Sequence, residues 1–255
     1  MLNDVRFAHS DAPQLRCSAL VSTTLEARMD LKHLSENGFA VIPAFSSKQE
    51  VSALRSAIEE HIQGISEAGV RGIAQKSPVV QAYANSFAVR NLVEGVLGAN
   101  ARLVRSVLFN KTPEANWLVT WHQDLSIAVR ERADFPGFRG WSTKDGICHV
   151  QPPIEVLENM VTFRVHLDDA GPENGALVVS PGTHKLGRIP ASEVAKATKE
   201  HEAHICSVSA GDALLFKPLL AHCSKKSANP SARRILHFEF CAVELPLPLQ
   251  WATAA

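Results

Sequence analysis

The spacing of apolar residues predicts two amphipathic helices in the first hundred positions. Ser47 and Glu50 form a capping-box pattern, after which apolar residues recur at helical intervals over residues 51–62. A second helical pattern covers residues 86–97 and ends at Gly98. We therefore expect the part of the chain before residue 100 to be dominated by helices.

The pattern changes at residue 101, where short segments rich in Val, Leu, Ile and Phe are separated by Gly, Pro and Asn. Many short strands joined by tight turns are typical of a sandwich, barrel or jelly roll. A short apolar segment before the first helix, residues 39–43, predicts one more strand. The strands expected after residue 100 cover residues 102–110, 117–124, 161–168, 176–180, 204–207, 213–217, 222–224 and 235–242.

A long stretch over residues 130–158 is rich in Gly and Pro and has no clear periodicity. Loops of this length in a compact domain are often functional lids, and we expect a lid-like loop here. The predicted organisation is an N-terminal tail (1–30), a single domain (31–245) with a helical part (31–100) and a β core (101–245), and a C-terminal tail (246–255).

Composition restricts the class of protein. The chain has 255 residues, enough for one substantial core, and its 26 Lys and Arg balance 26 Asp and Glu. Nothing in this balance favours a nucleic acid or an anionic membrane as partner, and no apolar run approaches the roughly 18 residues of a spanning helix. We expect a small-molecule partner; the sequence does not predict an oligomeric state.

The five cysteines are scattered and form no CxxC pair. This argues against a disulfide framework and against a structural zinc site. The N-terminus lacks the basic and then apolar order of a secretory signal. We therefore expect a reducing, cytoplasmic location.

The segment His122-Gln123-Asp124 carries the candidate chemistry. In a strand, alternate side chains share a face, so His122 and Asp124 project together while Gln123 points away. With His222 as a third ligand they would form the two-histidine, one-carboxylate triad of non-haem Fe(II) oxygenases, which leaves coordination positions open.

A second segment, His166-Leu167-Asp168, has the same spacing. Asp168 is followed by Asp169 and a reversal through Gly171, so its carboxylate is well placed to cap a turn. We therefore favour His122 over His166 as the metal ligand.

Several ordered segments resemble the phytanoyl-CoA dioxygenase family, over roughly residues 32–244. The similar segments are Asn37 to Pro43, Trp121 to Asp124, Glu173 to His184, Gly211 to Phe216, His222 to Ser224, and Arg233 with Arg234. The resemblance implies a double-stranded β-helix, or jelly roll, that binds Fe(II) and 2-oxoglutarate.

The resemblance also implies roles for individual residues. His122, Asp124 and His222 match the family's iron ligands, which are its catalytic centre. Arg233, eleven positions after the distal histidine, matches the arginine that binds the distal carboxylate of 2-oxoglutarate, for which a planar guanidinium is well suited. Ser224 matches a second contact with the co-substrate.

Other assignments around the co-substrate are less direct. Alternation favours Arg234 over Arg233, because Arg234 shares its face with more apolar residues. Arg164 replaces an aromatic residue of some relatives, so it is assigned to 2-oxoglutarate or substrate binding, with an ion pair to Asp168 or Glu239 as the alternative. Gln123 completes the predicted cofactor-binding set, and Cys223 replaces a glycine.

We therefore expect a dioxygenase that uses dioxygen and 2-oxoglutarate to hydroxylate or otherwise oxidise a small organic metabolite, releasing succinate and CO₂. The carboxylate at Asp124 favours hydroxylation over halogenation, since related halogenases have a small residue there. Two alternatives remain at this point. They are a zinc-type metallohydrolase with the same ligands and a non-catalytic jelly roll that binds a small molecule.

Overall fold

The computed structural model describes residues 24–62, 69–112, 115–228 and 233–253, with side chains from residue 31. Its helices are α1 (Thr24–Asn37), α2 (Lys48–Ile62), α3 (Ile73–Lys76), α4 (Pro78–Ala84), α5 (Phe87–Leu97), α6 (Ile154–Glu158) and α7 (Val194–Ala197). Its strands are β1 (Phe39–Ile42), β2 (Gly69–Arg71), β3 (Arg102–Lys111), β4 (Val119–His122), β5 (Ile127–Val129), β6 (Arg139–Lys144), β7 (Ile147–Gln151), β8 (Met160–His166), β9 (Leu177–Val179), β10 (His204–Cys206), β11 (Ala213–Phe216), β12 (His222–Ser224) and β13 (Arg233–Cys241).

The strands of the described structure form three antiparallel sheets. The largest has the strand order β1-β11-β8-β13-β3-β2, the second has the order β10-β9-β12-β4, and the third has the order β5-β7-β6. The prediction of a mainly β chain preceded by helices is therefore confirmed. Among the described residues no helix is both long and apolar enough to cross a membrane.

One face of the six-stranded sheet is apolar and is covered by helices. Phe163, Leu215 and Phe238 alternate along their strands towards this face and pack in one cluster with Leu54 and Val89 of the helical layer. Each of these five side chains is at most 1% exposed. This layer explains why an alternating apolar pattern runs through β8 and β13.

The other face of the six-stranded sheet meets the four-stranded sheet. Phe39, Leu214 and Phe216 of the large sheet pack against Leu177 and Val179 of the smaller one. Apolar contact thus holds the two sheets together on the side of β1 and β11. On the side of β3 and β13 the sheets enclose a polar cavity, which holds the candidate site.

The predicted helix starts are present. Glu50 accepts a hydrogen bond from the backbone N–H of Ser47 at 2.8 Å, and the Ser47 hydroxyl accepts one from the N–H of Glu50 at 3.2 Å. Ser86 precedes α5 as its N-cap, and Gly98 ends it with φ of 86°. The two helices are therefore confirmed, whereas α3 and α4 were not predicted.

Residues 130–158 are not an irregular loop, and that prediction is wrong. β6 and β7 form a hairpin, β5 pairs with β7, and α6 follows. The turn between β6 and β7 uses Asp145 and Gly146 at positive φ. Polar and exposed residues on β6 hide its strand character in the sequence.

The described structure extends into both predicted tails. Helix α1 begins at Thr24 and so crosses the expected boundary at residue 30, while residues 1–23 lie outside the described part. At the other end, Leu249 and Trp251 are each 2% exposed, and Trp251 forms a β-bridge with Val129. The described C-terminal residues therefore pack into the domain.

Candidate active site

Strands β4 and β12 bring the two histidines together. They are antiparallel neighbours in which His122 lies opposite His222, with ring centroids 4.2 Å apart. Asp124 follows the end of β4, and its backbone N–H donates to the carbonyl of Pro218 at 2.9 Å. The Asp124 carboxylate lies 3.6 Å from the Nε2 atom of each histidine.

Three possible ligand atoms, one from each residue, lie within 4.8 Å of one another. The Nδ1 atom of His122 is 2.9 Å from the carbonyl of Thr120, and that of His222 is 2.9 Å from the carbonyl of Leu220. A carbonyl only accepts, so each ring donates from Nδ1 and leaves Nε2 free as a ligand. This nitrogen, nitrogen and oxygen set fits a first-row metal ion such as Fe(II).

The protonation states of His222 and Asp124 agree with ligand roles. Burial lowers the pKa of His222 to about 4, so its imidazole is neutral at neutral pH. Burial opposes the charge on Asp124, but His222 and His122 outweigh it and hold the pKa of this carboxyl well below its usual value. Burial also opposes the charge on His122, yet the nearby Asp124 carboxylate raises its pKa, so a bound metal ion would have to displace a proton from this ring.

The three side chains border a cavity of about 200 Å³ between the two sheets. Alternate residues of β13 form its floor, and the start of that strand contributes Arg233. No residue of 130–158 in the described structure lines it, so the expected lid does not border the site. The lining residues are Arg105, Phe109, Trp117, Val119, His122, Asp124, Arg164, Leu177, His222, Cys223, Ser224, Arg233, Ile235, His237 and Glu239.

Arg233 and Arg234 lie on opposite faces of β13. Arg233 is 5% exposed, lines the cavity and donates from Nη1 to the carbonyl of Gly175. Arg234 lies on the helix side and binds both oxygens of Asp168, each at 2.8 Å. The alternation argument identified the core face correctly, but that face packs against helices and does not line the cavity.

Comparison with known proteins identifies the family. The sequence profile described as phytanoyl-CoA dioxygenase matches residues 34–235, which is most of the chain. This chain belongs to the phytanoyl-CoA dioxygenase family. The resemblance predicted from the ordered motifs is thereby confirmed.

Three similar proteins share less than a quarter of their aligned residues with this chain. An ectoine dioxygenase of Nocardia farcinica is 24% identical over 262 residues, covering 88% of this chain and 81% of the relative. The structure of SnoK, a non-heme alpha ketoglutarate dependent carbocyclase from nogalamycin biosynthesis, superimposes with a TM-score of 0.66 at 18% identity, covering 85% of this chain and 84% of SnoK. The structure of HygX from Streptomyces hygroscopicus, with nickel and 2-oxoglutarate bound, superimposes with a TM-score of 0.62 at 22% identity. The match covers 84% of this chain and 86% of HygX.

Gln123 does not reach the cavity of this family member. Its amide nitrogen donates to the carbonyls of Gly187 (2.8 Å) and Leu219 (2.6 Å), and its oxygen accepts from the N–H of Ile189 (2.8 Å). Strand alternation turns it away from His122 and Asp124. Its assignment to cofactor binding therefore does not agree with the structure, since all three bonds hold neighbouring backbone.

Lys111 was not predicted as a site residue, because the predicted strand ends at residue 110. The structure continues β3 through Lys111, pairs it with Arg233 and buries it completely. Its Nζ donates to the carbonyl of Lys225 at 2.6 Å and lies 3.4 Å from the Ser224 hydroxyl, which donates to Gly175. Burial, and then the charge of Arg233, lower the pKa of Lys111 to about 8. Extending the predicted strand 102–110 by one residue places Lys111 on the same face as Phe109.

Arg164 lines the cavity, and neither ion pair proposed for it is present among the described residues. Its Nε donates to Nδ1 of His237 at 2.9 Å. Asp168 pairs instead with Arg234 and Arg55, and Glu239 pairs with Arg105 at 2.7 Å. Arg164 therefore lines the same cavity as the three candidate ligands, and none of the carboxylates in the described residues forms an ion pair with it.

The second histidine and aspartate pair does not form a metal site in the described structure. His166 is 2% exposed, and burial with the charges of Arg164 and Arg233 lowers its pKa to about 3. β8 ends at His166, after which Asp168 turns towards Arg234. Cys223, the other departure from the family, is half-buried in the cavity wall.

Proposed function

We propose that this member of the phytanoyl-CoA dioxygenase family is an Fe(II)- and 2-oxoglutarate-dependent dioxygenase. It hydroxylates, or otherwise oxidises, a small organic metabolite and releases succinate and CO₂. One observation carries the proposal. The three candidate ligands have their Nε2 and carboxylate atoms together at a cavity that also contains a buried arginine, Arg233.

His122, Asp124 and His222 would hold the metal. Bound iron and 2-oxoglutarate together supply the oxidising chemistry with dioxygen. The chain's own residues position these groups and the substrate and keep water away. Thr120 and Leu220 orient the two imidazoles through their carbonyls.

Arg233 would bind the distal carboxylate of 2-oxoglutarate. Ser224 lines the same end of the cavity and would add a hydroxyl, while the charge of Lys111, next to Arg233 on β3, lies behind it. A hydrolase that used only a metal-bound water would have no need for this buried cationic end. The fold proposed for the two facing sheets is a double-stranded β-helix, in line with the likeness to SnoK and HygX.

Distant relatives support the same chemistry but do not identify the substrate of this chain. One carries the name ectoine dioxygenase, and HygX holds 2-oxoglutarate with nickel. At 24% and 22% identity neither identifies the compound that this chain oxidises. We therefore propose the reaction class from these relatives, and infer the class of substrate only from the residues that line the cavity.

The metal and co-substrate can be tested by spectroscopy. Anaerobic protein given Fe(II) and 2-oxoglutarate should develop a visible metal-to-ligand absorption band, because the keto acid chelates the iron. His122→Ala should abolish the band, since a ligand is lost, whereas His204→Ala, an exposed histidine of the same sheet, should keep it. A band that persists in His122→Ala contradicts the ligand assignment.

Turnover separates the oxygenase from the two alternatives. With dioxygen present, wild-type protein should convert 2-oxoglutarate to succinate, slowly even when no prime substrate is added. A zinc hydrolase or a binding module would form none. Screening small metabolites for stimulated succinate release would then identify the substrate.

A further inference from the structure

Arg164 is a buried cation without an anionic partner. Its side chain projects from the middle of β8 into the cavity, and the residue is 8% exposed. Within the described part of the chain, no carboxylate oxygen lies within 4.0 Å of its nitrogens, and its one hydrogen bond runs from Nε to His237. Both Nη groups therefore remain available as donors.

Neighbouring side chains hold this guanidinium in place. It lies 4.7 Å from the centre of the Phe216 ring and 5.6 Å from that of Phe109. His237 accepts from Arg164 and lies 3.1 Å from Glu239, which is bound by Arg105. Several buried contacts thus fix the position of the Arg164 guanidinium, in contrast to a flexible arginine on the surface.

The cavity has an excess of positive charge. Three arginines and two carboxylates line it, and Glu239 is already paired with Arg105 while Asp124 is a candidate metal ligand. A divalent metal and a doubly charged co-substrate would balance each other and leave this excess unchanged. Burying an uncompensated charge is costly, which favours a further anion in the cavity.

The co-substrate has a different cationic partner. Arg233 lines one end of the cavity beside Ser224, and Lys111 is its neighbour on the adjacent strand β3. Arg164 pairs in register with His237, four residues further along β13, or about 13 Å along the strand. The distal carboxylate of 2-oxoglutarate, bound at the Arg233 end, therefore does not neutralise Arg164. Arg164 lies instead near the candidate metal ligands, where a substrate must react.

From these contacts we infer that Arg164 binds an anionic group of the substrate, a carboxylate or a phosphorus oxyanion. This inference rests on the proposed function, in which Arg233 binds 2-oxoglutarate. The planar guanidinium offers two parallel donors to such a group. The substrate class is thus a small anionic metabolite whose anionic group lies in the part of the cavity lined by Arg164.

The first experiment separates the two arginines by their effect on 2-oxoglutarate. Anaerobic titration of the absorption band should show that Arg233→Gln weakens 2-oxoglutarate binding by about tenfold or more. Arg164→Gln should change it by less than about twofold. If Arg164→Gln weakens binding as much as Arg233→Gln, Arg164 belongs to the co-substrate and the inference is overturned.

The second experiment probes for the anion itself, with acetate and its neutral analogue acetamide. Protein loaded with Ni(II) and saturating 2-oxoglutarate, at constant ionic strength, should show a rise in melting temperature with acetate and none with acetamide. Arg164→Gln should lose the acetate shift, whereas Arg132→Gln, which removes an exposed arginine, should keep it. Arg164→Met, which keeps an unbranched stem between the two phenylalanines, provides a second neutral variant if Arg164→Gln does not fold.

Two results would overturn the anion site. One is an acetate shift of equal size in wild type and in the neutral variants, and the other is no shift in the wild type. Failure of the proposed function is seen separately. In that case wild-type protein would not bind 2-oxoglutarate in the first titration, before any acetate is added.

Discussion

At the scale of single residues, the site depends on which way a side chain leaves its strand. His122 and Asp124 reach the cavity, while Gln123 between them binds the backbone of Gly187, Leu219 and Ile189. The same rule separates Arg233 from Arg234 on β13. One position along a strand thus decides between a role in the cavity and a role in the scaffold.

Gln123→Ala should destabilise the fold more than it affects ligand binding. The change leaves two carbonyls and one N–H without their buried partner, so we expect a loss of about 1–3 kcal/mol in the free energy of unfolding. Urea unfolding of the metal-free protein measures this, with the exposed Gln81→Ala as control. A larger effect on 2-oxoglutarate affinity than that of Arg233→Gln would instead restore Gln123 to the cofactor site.

The stability of the fold depends on the ionisation of Asp168. Burial opposes its charge, but hydrogen bonds from Arg234 and the charge of Arg55 lower the pKa of this carboxyl. A depressed pKa contributes stability that is fully present above the ordinary value near 3.9 and is lost as pH falls through the lowered value. The contribution of Asp168 should therefore disappear only in strong acid.

Asp168→Asn should cost about 1.5–3 kcal/mol of unfolding free energy at neutral pH, because charged hydrogen bonds to Arg234 are lost. The difference from wild type should shrink as pH falls below about 4. Denaturant unfolding at several pH values measures both effects. Asp134→Asn, at an exposed ion pair with Arg132, should show neither, and equal behaviour of the two variants would contradict the assignment.

At the scale of elements, pairing between strands far apart in the chain assembles the cavity. β12 pairs with both β4 and β9, so that His222 lies next to His122. β13 lies between β3 and β8, which places Lys111 beside Arg233 and Arg164 beside His237. Register within these pairs therefore determines which cations share an end of the cavity.

At the scale of the whole molecule, the third sheet and the chain end form one apolar cluster. Val129 of β5, Leu249 and Trp251 pack together. Trp251 also donates from its indole N–H to the carbonyl of Val243 at 3.3 Å. The last described residues are thus part of the core that supports β3 and β13 from one end.

Trp251→Ala should destabilise the protein by about 3–5 kcal/mol, since it removes a large side chain that is 2% exposed. Thermal or denaturant unfolding measures the loss. Leu247→Ala, at a side chain that is 78% exposed, provides a matched control and should change little. Similar small effects of both substitutions would show that this segment is a tail after all.

The sequence by itself determined the local features of this protein. Helix caps at Ser47 and Ser86, most strand positions and the ordered motifs of the family all depend on neighbouring residues, so they can be recognised in the chain. Tertiary structure alone decided the burial of Lys111, the pairing of Arg234 with Asp168 and the lack of a carboxylate at Arg164. The physical reason is that charge and burial depend on partners brought close by sheet pairing, which are distant in sequence and leave no local signal.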